Sequence, residues 1–411
     1  MPNLFTYLKE YGNQSFEIEP INEIDYLLLN ELIYLPFDDY LTETYDVQTP
    51  YNLVELAESY DLNAKLHQVD NAMMATKNRY NLLMQVAQSS RYQQIGLANF
   101  QHNFNEDTEK QFCACTLVLP TNQLMVAYRG TDDTLIGWKE DFKLAYQETI
   151  PAQIDAAKYI NRTLESTTLP VVITGHSKGG NLALYAGLSA IEDHAERLVT
   201  VYLFDSPGLT QAALQSPQYQ ALKPIIKRYI PEDAVVGQMM YHDVEPIIVK
   251  SNLISIFQHD IMNWQIQDNH VATTETTSDT SQLIDKTLKQ WTEKHTNDEL
   301  SQFFDYCFDL FNQTGTTTLN DISKDVLSYV KQLQNLNNES SSDYKSVYEA
   351  LSNELIQIGR QNYLDYHKNR WMKLQHSIET AWEDFSAASG LATHLAALDQ
   401  WIKGNSTDKT E

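Results

Sequence analysis

Residues Leu169–Ala186 read LPVVITGHSKGGNLALYA. An apolar run gives way to Gly175-His176-Ser177-Lys178-Gly179-Gly180, and then to a stretch with Leu182 and Ala186 at helical spacing. A strand that enters a helix through G-x-S-x-G holds its serine in a strained turn, with the hydroxyl exposed above the sheet. A side chain at 175 or 179 would collide with the neighbouring elements. The backbone N–H of Lys178, at the helix start, can donate to an oxyanion, and the helix dipole favours that developing charge. Ser177 is therefore the candidate nucleophile, framed by Gly175, Gly179 and Gly180. The competing reading is a structural glycine turn with an idle serine.

The flanking sequence alternates. Tyr92–Phe104, Phe112–Leu119 and Gln123–Tyr128 read as strands. A helix is expected over Pro151–Glu165, then the strand Pro170–Thr174, the helix from Lys178, and the strand Leu198–Phe204. A helix near Gln211–Leu222 and the strand Ile226–Ile230 follow, and strands are expected at Ile247–Phe257 and Met262–Gln267. Strand–helix alternation with short connections argues for right-handed crossovers and a largely parallel central sheet. Residues 1–90 read as mostly helical; Asn63–Ser89 carries Leu66, Val69, Met73 and Met74 at helical spacing. Beyond Thr280 the pattern is helical throughout, with Ile322, Val326, Val330, Leu333 and Leu336 on one stripe. Asn335–Ser342 reads as a polar linker and Lys403–Glu411 as a frayed tail. The expected organisation is a helical segment at 1–90, an α/β core at 91–280 and a helical region at 281–411.

A nucleophilic serine needs a base, and the base needs an orienting carboxylate. In a strand–turn–helix site the chain order is serine, acid, histidine. His259, in a short break Gln258-His259-Asp260 between two expected strands, is the favoured base. His242, in YHDVEP, is its competitor. For the acid, Asp233 follows one strand in IKRYIPEDAVV and Asp205 ends the preceding one in LFDSPG. Geometry does not separate them. A second oxyanion donor should come from a loop after an earlier strand. Thr131, in MVAYRGTDDT, is placed for it.

These motifs together resemble the lipase class-three branch of the α/β-hydrolases. The resemblance is carried by Tyr128-Arg129-Gly130-Thr131 at the oxyanion strand, by Gly175–Gly180 at the elbow, and by Phe204-Asp205-Ser206-Pro207 where that family has a Phe-Gly turn. Asp233-Ala234-Val235 matches the family's acid. The resemblance implies Asp233 as the acid, Ser177 as the nucleophile, and the N–H groups of Thr131 and Lys178 as oxyanion donors. More closely, FEIEPINEIDYLLLNELIYLPF and the element from Phe257 to Trp264 resemble a bacterial family of lipase-like proteins, which favours His259. Two departures stand out: Asp205 replaces the turn glycine, and residues 132–150, with Leu135, Ile136, Trp138, Phe142 and Leu144, read equally as a short lid or as a packed amphipathic helix.

Composition bounds the rest. Of 411 residues, 29 are Lys or Arg and 55 are Asp or Glu, a formal charge of −26. That balance argues against nucleic acid, which needs Lys and Arg to displace condensed counterions, and against docking on anionic lipid. Cys113, Cys115 and Cys307 form no disulfide framework and no set at zinc-ligand spacing. No metal or organic cofactor is expected. With no signal peptide or spanning run recognisable, a cytoplasmic location is expected. The expected activity is hydrolysis of a small-molecule or lipid carboxylic ester. A hydrolase fold kept as a scaffold, its acidic helical C-terminal region binding a partner, is the rival. An acyltransferase or thioesterase would use the same three side chains.

Overall fold

The computed structural model describes residues 1–41, 46–63, 74–105, 109–131, 135–315, 326–341 and 343–389. Leu66, Val69, Met73, Ile322 and the tail from Lys403 lie outside them. Two compact units divide the chain, Met1–Leu355 and Ile356–Glu411.

Helices α1 (Leu4–Tyr11) and α2 (Glu23–Leu32) each begin at an asparagine that caps its own helix: Asn3 accepts from the Thr6 amide and Asn22 from those of Ile24 and Asp25. Strand β1 (Tyr51–Asn52), α3 (Leu53–Leu62) and α4 (Met74–Gln88) follow. Strands β2 (Gly96–Asn105), β3 (Lys110–Leu119) and β4 (Gln123–Tyr128) form an antiparallel meander. Next come α5 (Leu135–Lys143), α6 (Pro151–Ser166), β5 (Val171–His176), α7 (Lys178–His194), β6 (Leu198–Phe204), the short α8 (Gln211–Leu214) and α9 (Pro217–Leu222), β7 (Ile226–Pro231) and β8 (Ile247–Val249). Strands β9 (Ile266–Gln267) and β10 (His270–Val271) make a small hairpin, and β11 (Thr273–Thr274) closes the edge. Helices α10 (Asp279–Thr292), α11 (Asn297–Gln313), α12 (Val326–Glu339) and α13 (Lys345–Ser389) complete the described chain.

One nine-stranded sheet runs in the order β1-β2-β3-β4-β5-β6-β7-β8-β11. From β4 to β8 every neighbouring pair is parallel. Period-two alternation sorts the side chains by face. Leu124, Val126 and Tyr128 join Ile173, Val201 and Leu203 under α6 and α7. Met125, Ala127, Val172 and Tyr202 face the N-terminal helices, as do Cys113 and Cys115. This sheet, parallel through its centre from β4 to β8, with helices on both faces and a strand–serine–helix turn at its middle, is an α/β-hydrolase core.

The N-terminal helices are part of that packing. From Ile24 to Leu32 every residue of α2 is buried. Leu27, Leu28, Leu29 and Leu32, fully removed from water, each stabilise the fold by roughly 1.5–3 kcal/mol. The polar residues of α2 are matched across the interface. Thr174 on β5 donates to Asn30 at 2.7 Å, and Arg91 makes a two-pronged pair with Asp25 at 2.6 and 2.9 Å.

Several sequence expectations are corrected. The strand expected over Ile247–Phe257 stops at Val249, and Ser255–His259 and Ile261–Asn263 are single 3-10 turns. The helix expected near Gln211–Leu222 breaks at Ser216, which caps α9 ahead of Pro217. Asn335–Glu339, read as linker, is the last part of α12. The segment that read as lid or packed helix is packed: Phe142 of α5 stacks on Phe304 of α11 with ring centroids 4.7 Å apart.

Candidate active site

Ser177 stands between β5 and α7 with φ 58° and ψ −135°, a backbone conformation that costs a non-glycine residue of order 1–3 kcal/mol. The surrounding structure enforces it. The Ser177 amide donates to Phe204 O at 3.0 Å. A Cβ on Gly175 would meet Gly179 O at 2.1 Å, and one on Gly179 would meet Tyr128 O at 2.2 Å. A Cβ on Gly180 would strike Ser206 Cβ at 2.3 Å. All three glycines let the serine turn fit between β4 and β6.

His259 ends the 3-10 turn after β8, about one-quarter exposed at its side chain. Its Nε2 lies 3.0 Å from Ser177 Oγ, and its Nδ1 lies 2.6 Å from Asp205 Oδ2. The carboxylate can only accept, so Nδ1 carries the proton and Nε2 is left to accept from the serine. The structure thus brings Ser177, His259 and Asp205 together. Asp205 is 1% exposed; its other oxygen accepts from the Gly237 amide at 2.9 Å.

Asp233 is not the partner of His259. Strand register explains why. His176 and Phe204 are paired across β5 and β6, so the residues that follow them, Ser177 and Asp205, sit on adjacent strand ends. Asp233 lies one strand farther out, past β7. Its carboxylate accepts from the Ser255 amide at 2.7 Å and from Gln258 Nε2 at 3.0 Å, bracing the turn that carries His259. Trp264, fully buried, donates to Gln258 O at 2.9 Å from the other side. His242 stands elsewhere, against Gly208, its pKa lowered well below 6.5 by burial and by Arg228 and Lys289.

The Gly130–Thr131 turn lies against the serine. A Cβ on Gly130 would stand 2.6 Å from His176 O and 2.9 Å from Ser177 Cβ. The Gly130 amide donates to Tyr34 Oη at 3.0 Å. Thr131 donates from its hydroxyl to Asp141. Lys178, 1% exposed, reaches Glu140 at 2.8 Å and Asp141 at 3.4 Å. Burial opposes the ammonium charge, but Asp141 and Glu140 outweigh it and raise the Lys178 pKa. Burial, with Glu140 adding to it, pushes the Asp141 carboxyl up to about 6 against the pull of Lys178. The Lys178 side chain thereby ties the start of α7 to the Thr131 turn.

A second cluster backs the site. His176 Nε2 lies 3.0 Å from His259 O, and its Nδ1 lies 3.2 Å from Tyr34 Oη and 3.3 Å from Glu31 Oε1. Arg79 pairs with Glu31 at 2.8 Å and lies over the Tyr34 ring. Although burial alone would raise it, Arg79 and His176 hold the Glu31 carboxyl at about 2. No local pattern announces Glu31, Tyr34 or Arg79. For Asp205 a signal existed: it is an aspartate at φ 40° where the resembled family keeps glycine. Among the described residues, no group of three or more His, Cys, Asp or Glu side chains is placed to hold a metal ion. None of the described helices is long and apolar enough to cross a membrane.

Sheet and elbow together define a lipase-like α/β-hydrolase fold, and at its centre Ser177, His259 and Asp205 are in contact. The chain belongs to the Mbeg1-like family, whose model matches residues 86–309, more than half of it. No curated protein matches the sequence. Among solved structures it is similar to lipase II from Rhizopus niveus, at 13% identity and TM-score 0.33, over 47% of this chain and 77% of that one. It is also similar to the Rhizomucor miehei lipase propeptide complex, at 14% identity and TM-score 0.33, over 61% and 85%. A third is the lipase from Rhizopus microsporus var. chinensis, at 14% identity and TM-score 0.30, over 48% and 71%.

Proposed function

We propose that the protein is a serine hydrolase of carboxylic esters. The observation that carries this reading is the unbroken run of contacts from Asp205 through His259 to Ser177, at 2.6 and 3.0 Å. Ser177 Oγ attacks the acyl carbon while His259 Nε2 takes its proton. Asp205 keeps the imidazole in the tautomer that can do so and stabilises its cation. The amides of Thr131 and Lys178 receive the oxyanion, held by Asp141 and by the first turn of α7. The imidazolium then returns the proton to the leaving alcohol oxygen, and an ester on Ser177 remains. Water, deprotonated by the same imidazole, attacks that ester and releases the acid and the serine hydroxyl.

The substrate is a small-molecule or lipid ester whose acyl carbon reaches the half-buried Ser177. A fluorophosphonate probe should label Ser177 in the intact chain and fail to label Ser177→Ala. A panel of esters of graded acyl length should then show turnover that the same substitution abolishes. An unlabelled serine and no turnover across the panel would leave a scaffold reading in its place.

A further inference from the structure

The cluster behind the site joins two parts of the machinery that are far apart in sequence. His176 Nε2 faces the His259 carbonyl oxygen at 3.0 Å; a carbonyl only accepts, so that nitrogen carries a proton and donates. His176 is therefore committed on one side to the main chain of the base. Its other nitrogen has two neighbours, Tyr34 Oη at 3.2 Å and Glu31 Oε1 at 3.3 Å. With His176 neutral, the Tyr34 hydroxyl donates to Nδ1. With His176 protonated, Nδ1 forms an ion pair with Glu31 Oε1 at 3.3 Å and the Tyr34 hydroxyl turns to His176 O, 3.3 Å away. In both states Nε2 faces the His259 carbonyl, and Glu31 steadies the ring when it is protonated.

Tyr34 meanwhile accepts the Gly130 amide at 3.0 Å, at the turn that presents Thr131. Glu31 is 1% exposed and matched by Arg79 at 2.8 Å, so the pair is nearly neutral and its geometry is fixed by packing. Asp260, next in chain to His259, feels the charge of both.

We propose that Glu31 is a positioning residue for the reaction: through His176 it fixes the main chain of the base, while Tyr34 fixes the oxyanion turn. Neither touches the reacting atoms. The proposal rests on the ester-hydrolase reading, and its test is arranged so that the two can fail separately.

The measurements are the rate of fluorophosphonate labelling at Ser177, kcat and KM on the best ester, and the histidine ring signals in NMR spectra of the full chain. Glu31→Gln should slow labelling and lower kcat about tenfold to a hundredfold, with KM within about twofold. The His259 ring signals should shift. His176→Gln, whose amide can still donate to the His259 carbonyl, should keep more of the labelling rate than His176→Ala. Because Glu31→Gln leaves the half-buried Arg79 without its counter-charge, a second variant, Glu31→Gln with Arg79→Met, removes both charges. It should regain the wild-type melting temperature while labelling stays slow. If that double variant labels at the wild-type rate, Glu31 is only a counter-charge and the proposal is overturned. If wild-type Ser177 does not label at all, the hydrolase reading falls, and unmoved His259 signals in Glu31→Gln would overturn the positioning role by themselves.

Discussion

Asp205 Oδ2 lies 2.6 Å from His259 Nδ1, although the two residues are 54 positions apart. The contact places the proposed acid at the end of β6, on the strand next to Ser177, and leaves Asp233 to brace the turn that carries His259. Asp205→Asn should lower kcat by about 10³–10⁴, because an amide favours the wrong imidazole tautomer. Asp233→Asn should cost less than about tenfold, since its remaining oxygen still accepts from Ser255. Steady-state kinetics on the two variants decides between them: the opposite order would return the acid to Asp233.

The base should show itself in pH. A neutral imidazole is needed to take the Ser177 proton, so the rate should rise with pH through one ionisation. His259→Ala should remove that limb and nearly all turnover. His242→Ala should keep the limb, because His242 packs against Gly208 and burial, Arg228 and Lys289 lower its pKa well below 6.5. A pH–rate profile of each variant is the check.

The sheet and its serine turn were legible because they are local. Five apolar residues before a G-x-S-x-G dictate a strand, a tight turn and a helix with little help from the rest of the chain. The sequence favours His259 over His242, which also follows the acid, for its place in a break between expected strands, and so does the resemblance; the structure carries it on a 3-10 turn instead. The acid was not legible, because the choice between Asp205 and Asp233 depends on which strand end lies beside Ser177, a matter of register. The resemblance to class-three lipases pointed to Asp233, and the substitution of Asp205 for the turn glycine was the sign that pointed the other way. Glu31 and Tyr34 were hidden for another reason. Their partners lie far along the chain, Arg79 48 positions from Glu31, and Gly130 and His176 96 and 142 positions from Tyr34, and α2 reads simply as an apolar helix.

Two carboxyls, the buried Glu31 and the half-buried Asp141, should move stability with pH in opposite directions. The Glu31 pKa falls from 4.5 to about 2 on folding. Its contribution is present above about pH 4.5 and is lost as pH falls through about 2, of order 3 kcal/mol. The Asp141 pKa rises from 3.8 to about 6. Folding is favoured by that group below about pH 4, and the advantage is lost as pH rises through about 6, of order 2–3 kcal/mol. Urea midpoints of wild type, Glu31→Gln and Asp141→Asn between pH 3 and 8 test this. Relative to wild type, Asp141→Asn should gain from acid to neutral pH and Glu31→Gln should lose.

The pair of Arg91 and Asp25 is wholly buried, with Tyr92 donating to the same carboxylate at 2.7 Å. Asp25→Ala leaves a buried guanidinium without its counter-charge and should destabilise the protein by about 3–5 kcal/mol. Equilibrium denaturation measures it; a loss under about 1 kcal/mol would mean the arginine finds water instead.

The helices before residue 86 lie outside the stretch that matches the family, yet they cover one face of the sheet. An expression clone trimmed to the matched stretch would strip that cover. Met125, Ala127, Val172 and Tyr202 would meet solvent as one sticky plane, Arg91 would lose Asp25, and the Gly130 amide would lose Tyr34. Such a clone should go into inclusion bodies even though it encodes Ser177, Asp205 and His259 intact. The boundary where sequences stop resembling one another is not a place where this molecule can be cut.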